Sequence, residues 1–216
     1  MSTTSPDLGA PSVLLPPKTL DVDGVERAVR DLLVALGQGD KDEVMANTPR
    51  RVAELYAETI NPTFIDAEVA PKTFDNPGIT DPIYVNDVQY VSMCEHHLAP
   101  AFGIAHVAYI PGARIVGYSK LKKALNYVAR QPTLNERLVV AVADYIDTAL
   151  APAGLAVALR SVHCCIALRT NAPMQEVVTV TAFRGCYDLE AGERAQALRA
   201  EFFATVAASR GTFLGA

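Results

Sequence analysis

Cysteine and histidine are concentrated in two short segments of the chain. Three of the four cysteines and three of the four histidines lie in Cys94-Glu95-His96-His97 and His163-Cys164-Cys165. Because Cys94 and His97 are three residues apart, one turn of the backbone can direct both side chains toward a single cation. This pair supplies only half of a metal site, so we expect the second segment to supply the rest.

The second segment is predicted to lie on a strand over residues 161–169, where the pattern is apolar. Side chains alternate along a strand, so His163 and Cys165 share one face and Cys164 points to the other. Cys165 is therefore the preferred third ligand, with His163 beside the metal. Two thiolates and one imidazole without an evident fourth protein ligand are typical of catalytic zinc, in which water takes the open position.

A second interpretation of these residues needs no metal. Free cysteines are commonly small buried residues, and buried histidines are commonly hydrogen-bonded parts of the core. For His106, which lies on a largely apolar strand, we expect this core role. For the other residues, the coincidence of two clusters favours the metal site.

Length and composition indicate an ordinary globular protein. The chain has 216 residues, of which 50% are hydrophobic and 20% charged, and its net charge is −5. An acidic chain is not expected to bind nucleic acid in general, although a local basic pocket can still bind a small anion. The first residues lack the features of a signal peptide, and no apolar run approaches the roughly 18 residues of a membrane span. We therefore expect a cytoplasmic protein with reduced thiols and no membrane partner.

The periodicity of apolar residues predicts an α+β fold with an antiparallel sheet. Its elements follow the order helix, helix, two strands, two helices, two strands, helix. We divide the chain into a disordered arm at residues 1–21, a helical segment at 22–62 and a catalytic domain at 63–216. The predicted helices cover residues 23–36, 49–60, 119–130, the stretch after 133 and 188–208, and the predicted strands cover 83–93, 101–110, 155–169 and 176–184.

Three of the predicted helix starts have a capping signal. Thr48 can cap a helix with Pro49 at its first position, and Ser119 can cap the next one. Thr133 and Glu136 have the spacing of a capping box. Residues 61–82 contain four prolines and are predicted to form a loop.

Cations gather near the start of the helix that Ser119 is predicted to cap. Lys120 and Lys123 lie in its first turns, and Arg169 lies just beyond the second cysteine-containing segment. A helix N-terminus with nearby Lys and Arg side chains binds phosphate well, but lysines on an amphipathic helix commonly form a solvated face. Glu136 also has two interpretations: it caps its own helix, or it accepts two N–H donors from a guanine-like base edge.

Four motifs, taken in order, resemble those of the GTP cyclohydrolase I family. They are Cys94-Glu95-His96-His97, Gly117-Tyr118-Ser119-Lys120-Leu121, Asn135-Glu136-Arg137-Leu138 and Val162-His163-Cys164-Cys165 followed by Arg169. The similarity extends over about residues 24–208 and includes Thr48-Pro49-Arg50-Arg51-Val52-Ala53. The resemblance implies a tunnelling fold, in which helices back an antiparallel four-stranded sheet. It also implies a homo-oligomer, a toroidal decamer of two pentameric rings with active sites at subunit interfaces.

The resemblance further implies zinc as the cofactor, GTP as the substrate and a role for each site residue. The metal ligands would be Cys94, His97 and Cys165, and the acid–base histidines would be His96 and His163. Among the substrate-binding residues, Glu136 would contact guanine, Ser119 would lie near the ribose, and Lys120 and Arg169 would contact the triphosphate. Lys123 and Arg51 would complete the substrate-binding set. A zinc-activated water would attack C8 of the purine, and the imidazole ring would open with loss of formate. Rearrangement would give 7,8-dihydroneopterin triphosphate, the first step of tetrahydrofolate and pterin biosynthesis.

Several positions depart from the family pattern. Asn135 stands in place of the usual Gln, Thr170 in place of Gly, Glu54 in place of a Lys, and Glu176 in a strand that is usually rich in Ser and Thr. Two alternatives therefore stay open: a related enzyme that opens GTP but releases a different product, and a catalytically silent zinc-binding scaffold. The two acid–base histidines, which a structural zinc site does not need, favour an enzyme.

Overall fold

A computed structural model describes residues 20–60, 72–169 and 176–209. These residues form two compact units, which we call the helical unit (residues 20–60) and the sheet unit (residues 72–169 and 176–209). The arm predicted at residues 1–21 lies outside the described residues except for its last two.

The helical unit is a pair of helices. Helix α1 spans Val22–Ala35 and helix α2 spans Asp42–Ile60. Asp21 begins α1 by accepting a hydrogen bond from the Gly24 backbone amide at 2.8 Å. The predicted helix start at Pro49 is wrong, because Pro49 lies inside α2. A proline there removes one backbone hydrogen bond, whereas Asp42 and Glu43 mark the actual first turn, where acidic side chains stabilise the helix dipole.

Ion pairs cross between the two helices of this unit. The Arg50 guanidinium on α2 lies 3.2 Å from Asp23 and 3.5 Å from Glu26 on α1, and its Nε donates to Glu54 at 2.9 Å. The hydrogen bond to Glu54 is the main cause that raises the pKa of Arg50. Glu54, one of the departures from the family pattern, is therefore engaged inside the helical unit.

The sheet unit is built on a five-stranded sheet in the order β5-β2-β3-β6-β7. The long strands are β2 (Ile83–Cys94), β3 (Pro100–Ile110), β6 (Gly154–His163) and β7 (Val178–Gly185), and the short strand is β5 (Pro132–Thr133). Neighbouring long strands pair antiparallel, which confirms the predicted four-stranded antiparallel sheet and the α+β class. Strand β5 adds a parallel edge beside β2 that the sequence did not predict.

Two further short strands, β1 (Thr73–Asp75) and β4 (Arg114–Val116), form a separate antiparallel pair. The loop predicted over residues 61–82 is therefore wrong at β1, and residues 61–71 lie outside the described part of the chain. A strand of three residues is too short to leave an alternating pattern in the sequence.

Helices cover both faces of the sheet. Helices α3 (Tyr118–Ala129) and α4 (Asn135–Leu150) bury a large apolar core against β2, β3 and β6. A smaller core on the other face joins α6 (Glu193–Ala208) to β3 and β6 through Phe202 and Tyr187. Helix α6 begins later than the predicted residue 188, because a 3-10 turn at Leu189–Ala191 precedes it.

The two predicted caps of the sheet unit are wrong. Helix α3 begins at Tyr118, one residue before Ser119, α4 begins at Asn135, and neither helix has a side-chain cap. Thr133 does not close a capping box, because it belongs to β5 and pairs with Cys94. This pairing places the start of α4 beside the end of β2, where the candidate site lies.

Strand β6 ends at His163, so the strand predicted over residues 155–169 is too long. Its pairing with β3 ends where His163 faces Ala101, next to Pro100 at the start of β3. Only Pro100, which has no backbone N–H to donate, remains in β3 beyond this point, and Cys164–Ala167 form one helical turn, α5. Cys165 therefore lies on a helix, and the alternation argument that selected it does not hold.

Candidate metal centre

The turn between β2 and β3, which we call the hairpin segment (residues 94–99), carries two of the predicted ligands. The Cys94 amide donates to the Ala99 carbonyl and the Leu98 amide donates to the Cys94 carbonyl, both at 2.9 Å. Leu98 has a φ of 48°, in the left-handed region that lets the chain turn back sharply into β3. The closed turn brings Cys94 Sγ to 3.6 Å from His97 Nδ1.

The third ligand comes from the stretch after β6, which we call the β6–α5 segment (residues 163–169). Cys165 places its Sγ 3.9 Å from Cys94 Sγ. The ligand atoms of Cys94, His97 and Cys165 all lie within 4.8 Å of one another, and Cys164 is not part of this ligand group. The three predicted ligands therefore converge, although the second segment reaches the site as a helical turn.

Two of the three distances within the ligand group fit a tetrahedral zinc ion, and the third pair, His97 and Cys165, lies within 4.8 Å. Zn–S bonds of about 2.3 Å and Zn–N bonds of about 2.05 Å place two sulfurs ~3.8 Å apart, and a sulfur and a nitrogen ~3.6 Å apart. The structure has 3.9 Å and 3.6 Å for these pairs. Zinc prefers thiolate and imidazole ligands, and three protein ligands leave one position for water. The group can therefore hold a catalytic zinc ion.

Burial and the neighbouring Cys94 thiol oppose the ionisation of the Cys165 thiol. Burial is the main cause that raises the pKa of Cys165, the neighbouring Cys94 raises it further, and Arg169 lowers it. Two thiolates in contact repel each other, and a divalent cation between them removes this repulsion. The electrostatics of the pair therefore favour a bound cation.

His163 lies at the end of β6, half-buried and two residues before Cys165. Its Nε2 lies 3.2 Å from Ser161 Oγ, and the Asn135 side-chain amide donates to the same oxygen at 2.5 Å. Burial lowers the pKa of His163, and the negative charge of Glu136 opposes this shift. A histidine that is neutral near pH 7 can accept a proton and then return it.

His96 lies in the hairpin segment, and its side chain is 62% exposed. Glu95 lies between two basic groups: its carboxylate is 3.9 Å from His96 Nε2 and accepts from Arg137 Nη1 at 3.2 and 3.3 Å. Arg137 belongs to α4, so this ion pair links the hairpin segment to that helix. The exposed His96 ring is accessible to a ligand.

Comparison with known proteins identifies the family to which a chain with this candidate site belongs. The family model for GTP cyclohydrolase I matches residues 25–206. The chain belongs to the GTP cyclohydrolase I family. The GTP cyclohydrolase 1 of Brevibacillus brevis is 40% identical over 181 residues, which cover 83% of this chain and 96% of that protein. The GTP cyclohydrolase 1 of Bacillus subtilis is 37% identical over 183 residues, 84% of this chain and 96% of that protein.

Membership of the GTP cyclohydrolase I family confirms the resemblance and the prediction of an enzyme of this type. The observed architecture, with helices packed on four antiparallel strands, agrees with the tunnelling fold that the resemblance implied. The first of the family motifs forms the hairpin segment, and the last forms the β6–α5 segment.

Two residues predicted to bind GTP lie within electrostatic reach of the site. Glu136 is exposed in the first turn of α4 and raises the pKa of His163. Arg169 is exposed at the end of the β6–α5 segment and lowers the pKa of Cys165. A carboxylate and a guanidinium are therefore both close to the candidate metal ligands and to His163.

The other residues predicted to bind GTP have no such link to the ligand group. Ser119, Lys120 and Lys123 lie in the first turns of α3, and Arg51 is exposed on α2 of the helical unit. Of the departures from the family pattern, Glu176 is exposed just before β7, and Thr170 lies outside the described residues. Across the described residues of the sheet unit, no hydrogen bond or ion pair joins the three α3 side chains to the ligand group. Their roles stay predictions.

Sequence reasoning missed Ser161 and Arg137 as neighbours of the site. Ser161 is 0% exposed on β6, two positions before His163 and thus on the same face of the strand. A polar residue two positions before a candidate acid–base histidine, on a largely apolar strand, is a signal that was available in the sequence. Arg137 left no such signal, because its partner Glu95 lies 42 residues away.

Three predictions outside the site can also be compared with the structure. His106 has the expected core position: it is 0% exposed, and its Nδ1 lies 3.3 Å from Asn86 Oδ1. The four cysteines are free, as expected for reduced thiols. Within residues 20–60, 72–169 and 176–209, every helix is too short or too polar to cross a membrane.

Proposed function

We propose that this protein opens the imidazole ring of GTP, releases formate and rearranges the product to 7,8-dihydroneopterin triphosphate. The observation that carries the proposal is the convergence of Cys94, His97 and Cys165 at zinc-binding distances, with His163 two residues from the last ligand. A structural zinc site commonly has a fourth protein ligand and needs no such histidine. Family membership supplies GTP as the candidate substrate.

Cys94, His97 and Cys165 would hold the zinc ion. When bound, zinc supplies the Lewis acidity that turns a water molecule into a nucleophile at neutral pH. The hydrogen bonds that close the hairpin segment hold two of the ligands in place in advance, so binding orders fewer side chains.

His163 moves protons in this proposal. Because burial lowers its pKa, its ring is neutral near pH 7 and can accept a proton as water adds to C8 of the purine. The ring can then donate this proton to the purine nitrogen whose bond to C8 breaks. A second water cleaves the formamide that remains and releases formate. The exposed His96 is the second acid–base group of this sequence of steps.

Residues on α4, α3 and the β6–α5 segment would orient GTP. Glu136 can accept two N–H donors from the guanine edge, and its position near His163 brings the base to the acid–base group. Arg169 can bind phosphate oxygens with its guanidinium. The remaining substrate contacts, assigned by family resemblance, are those of Ser119, Lys120, Lys123 and Arg51.

We also propose that the protein acts in the cytoplasm as a homo-oligomer, by resemblance a decamer of two pentameric rings. Helix α1 has no buried residue, and its Leu32 and Val34 are 54% and 57% exposed. Leu168 in the β6–α5 segment is 83% exposed. These side chains would be removed from water if they lay in contacts between subunits, as the proposed oligomer requires. Light scattering coupled to gel filtration measures the mass, which we expect to be a multiple of the chain mass.

Incubation of the zinc-loaded protein with GTP tests the proposed reaction. We expect formate and a product that oxidation converts to a fluorescent neopterin species, in equal molar amounts. The matched control is a pair of cysteine substitutions: Cys165→Ala, inside the ligand group, is expected to abolish both products, and Cys164→Ala, outside it, to retain both.

Two outcomes contradict this proposal in different ways. Formate without any pterin would exclude the complete reaction and leave a related enzyme that stops after ring opening. A folded, zinc-loaded protein that forms neither product from GTP would exclude the activity and favour a zinc-stabilised scaffold.

A further inference from the structure

We propose that Ser161 and Asn135 are positioning residues, which fix the ring of His163 in the orientation that proton transfer requires. Neither residue touches the substrate in this inference, and both act through His163. The inference rests on the proposed function, because that function gives His163 its acid–base role.

The three side chains form one hydrogen-bonded chain. Asn135, the first residue of α4, is 5% exposed and donates from its amide nitrogen to Ser161 Oγ at 2.5 Å. Ser161, 0% exposed on β6, lies 3.2 Å from His163 Nε2. These hydrogen bonds therefore connect Asn135 at the buried start of α4, through the buried hydroxyl of Ser161, to the half-buried ring of His163.

The surroundings of Ser161 exclude water. Strand register places Tyr90, Gly103 and Ser161 side by side across β2, β3 and β6. The Tyr90 ring lies over Gly103, where an added Cβ would come within 2.2 Å of the ring. Burial is the main cause that raises the pKa of Tyr90, and Ser161 acts against it, so the two hydroxyl groups are neighbours. In such a site, the Ser161 hydroxyl has protein groups as its partners.

A count of donors and acceptors shows what this arrangement does to the ring. A serine hydroxyl has one donor and two acceptor positions. The Asn135 amide occupies one acceptor position of Ser161 Oγ, which leaves one acceptor position and the hydroxyl hydrogen for the neighbouring groups, among them His163 Nε2. With Nε2 held in this way, Nδ1 is the nitrogen that remains for the substrate. Loss of Ser161 frees the ring to rotate about its side-chain bonds.

A purely structural role for Ser161 predicts different behaviour. In that case the serine only satisfies the buried Asn135 amide, and its loss lowers the stability of the fold without acting on the reaction. A positioning role instead predicts a loss of kcat that requires His163 to be present. The two roles are therefore separated by a double-mutant cycle.

The test compares Ser161→Ala, His163→Ala and the double variant, all as zinc-loaded, full-length proteins. We expect Ser161→Ala to lower kcat for formate release about tenfold, which is typical of losing one hydrogen bond, while KM for GTP and zinc content stay unchanged. In the His163→Ala background, the same substitution should have no further effect. Ser92→Ala is the matched control, because Ser92 is also buried, at 5% exposure, on the neighbouring strand β2. It should leave kcat unchanged.

Two results would overturn the positioning role. One is an unchanged kcat in a folded, zinc-loaded Ser161→Ala variant. The other is an equal loss of kcat in the presence and absence of His163. If Ser161→Ala does not fold, the same cycle with Asn135→Leu decides, since this change removes the donor to Ser161 and keeps the branched shape of the side chain.

Crystal structures of the wild type and of Ser161→Ala give a readout independent of activity. We expect one His163 ring orientation in the wild type, with Nε2 at Ser161, and a rotated or divided ring in the variant. An identical ring orientation in both would contradict the inference. If the wild type releases no formate from GTP, the proposed function fails, and the ring orientation still decides whether Ser161 positions His163.

Discussion

The hairpin segment and the β6–α5 segment meet at one ligand group, but different interactions hold them. The hairpin segment is closed by backbone hydrogen bonds between residues at most five apart, and His96 and His97 on it are exposed. The position of the β6–α5 segment depends on the register of β6 with β3. Its first residue, His163, lies beside Ser161, which accepts a hydrogen bond from Asn135, 26 residues away in the sequence. Local contacts therefore form one half of the site, and tertiary packing forms the other.

This difference explains why one half of the site was easier to predict from sequence. Cys94 and His97 are three residues apart, and a closed turn brings residues at this spacing together. The residue types and their spacing therefore sufficed to predict that the two side chains converge. The orientation of Cys165 depends on where β6 loses its partner strand, which local pattern does not show. The predicted ligand was the one found in the group, but it was selected by an incorrect argument.

The largest expected effect is on metal content, which requires both segments. Cys94→Ala, His97→Ala and Cys165→Ala should each lose the zinc ion and all formate release, because three ligands leave no redundancy. Cys164→Ala should keep one zinc per chain. Metal analysis of the purified variants provides the check, and zinc loss from Cys164→Ala with retention in Cys165→Ala would reverse the assignment.

The next largest effect compares the histidine of each segment. His163→Ala and His96→Ala should keep zinc and bind GTP, yet release formate about 10²–10⁴-fold more slowly, the typical contribution of an acid–base group. Formate release per zinc ion is the quantity to measure. Near-normal turnover in either zinc-loaded variant would assign that histidine a structural role instead.

A smaller effect is expected where α4 contacts the hairpin segment. Arg137→Met removes the ion pair with Glu95, but the Arg137 side chain is 70% exposed, so water and salt screen the attraction. We expect a change below about 1 kcal/mol in the free energy of unfolding, from thermal or denaturant unfolding. Glu95→Gln is the matching substitution, because it removes the same ion pair from the side of Glu95. A loss of zinc from Arg137→Met would show that backbone hydrogen bonds alone do not hold the hairpin segment.

The smallest effect concerns His106, which lies outside both segments. It tests how much the protonation of this residue lowers the stability of the fold as pH falls. Burial lowers the pKa of His106, Arg160 adds to this shift, and Asp87 opposes it. Below an unfolded-state pKa of about 6.5 the unfolded chain binds more protons than the folded one, so stability falls with pH toward the folded-state pKa. His106→Gln should lose this slope.

Thermal melting of the wild type and His106→Gln at about pH 7.5 and pH 5.5, either side of the histidine pKa, measures this effect. Protonation of the metal ligands is common to both proteins and cancels in the comparison. Equal loss of melting temperature in the two proteins would show that His106 does not contribute to the acid sensitivity of the fold.

Element types were predictable in this chain, and several boundaries were not. The four long strands follow apolar patterns that extend over at least eight residues each. The Thr133 capping box failed because β5 engages Thr133, and Pro49 marked a helix start that lies seven residues earlier, at Asp42. In the first case a tertiary contact, the pairing of Thr133 with β2, overrode the local capping signal. In the second case the helix accommodates Pro49 in its interior, so the proline did not mark the helix start. The Asn135–Ser161 hydrogen bond, which joins a helix start to a distant strand, had no local signal at all.

The contact between Asn135 and Ser161 also has an evolutionary consequence. At 2.5 Å it leaves no space for another methylene, which would add about 1.5 Å to the side chain at position 135. A Gln at position 135 therefore requires a residue smaller than serine at position 161, whereas Asn fits serine. Asn135→Gln alone produces a clash, and Ser161→Ala alone leaves an unpaired buried amide. We expect these two positions to be inherited as a pair, with substitutions at one accompanied by substitutions at the other among related proteins.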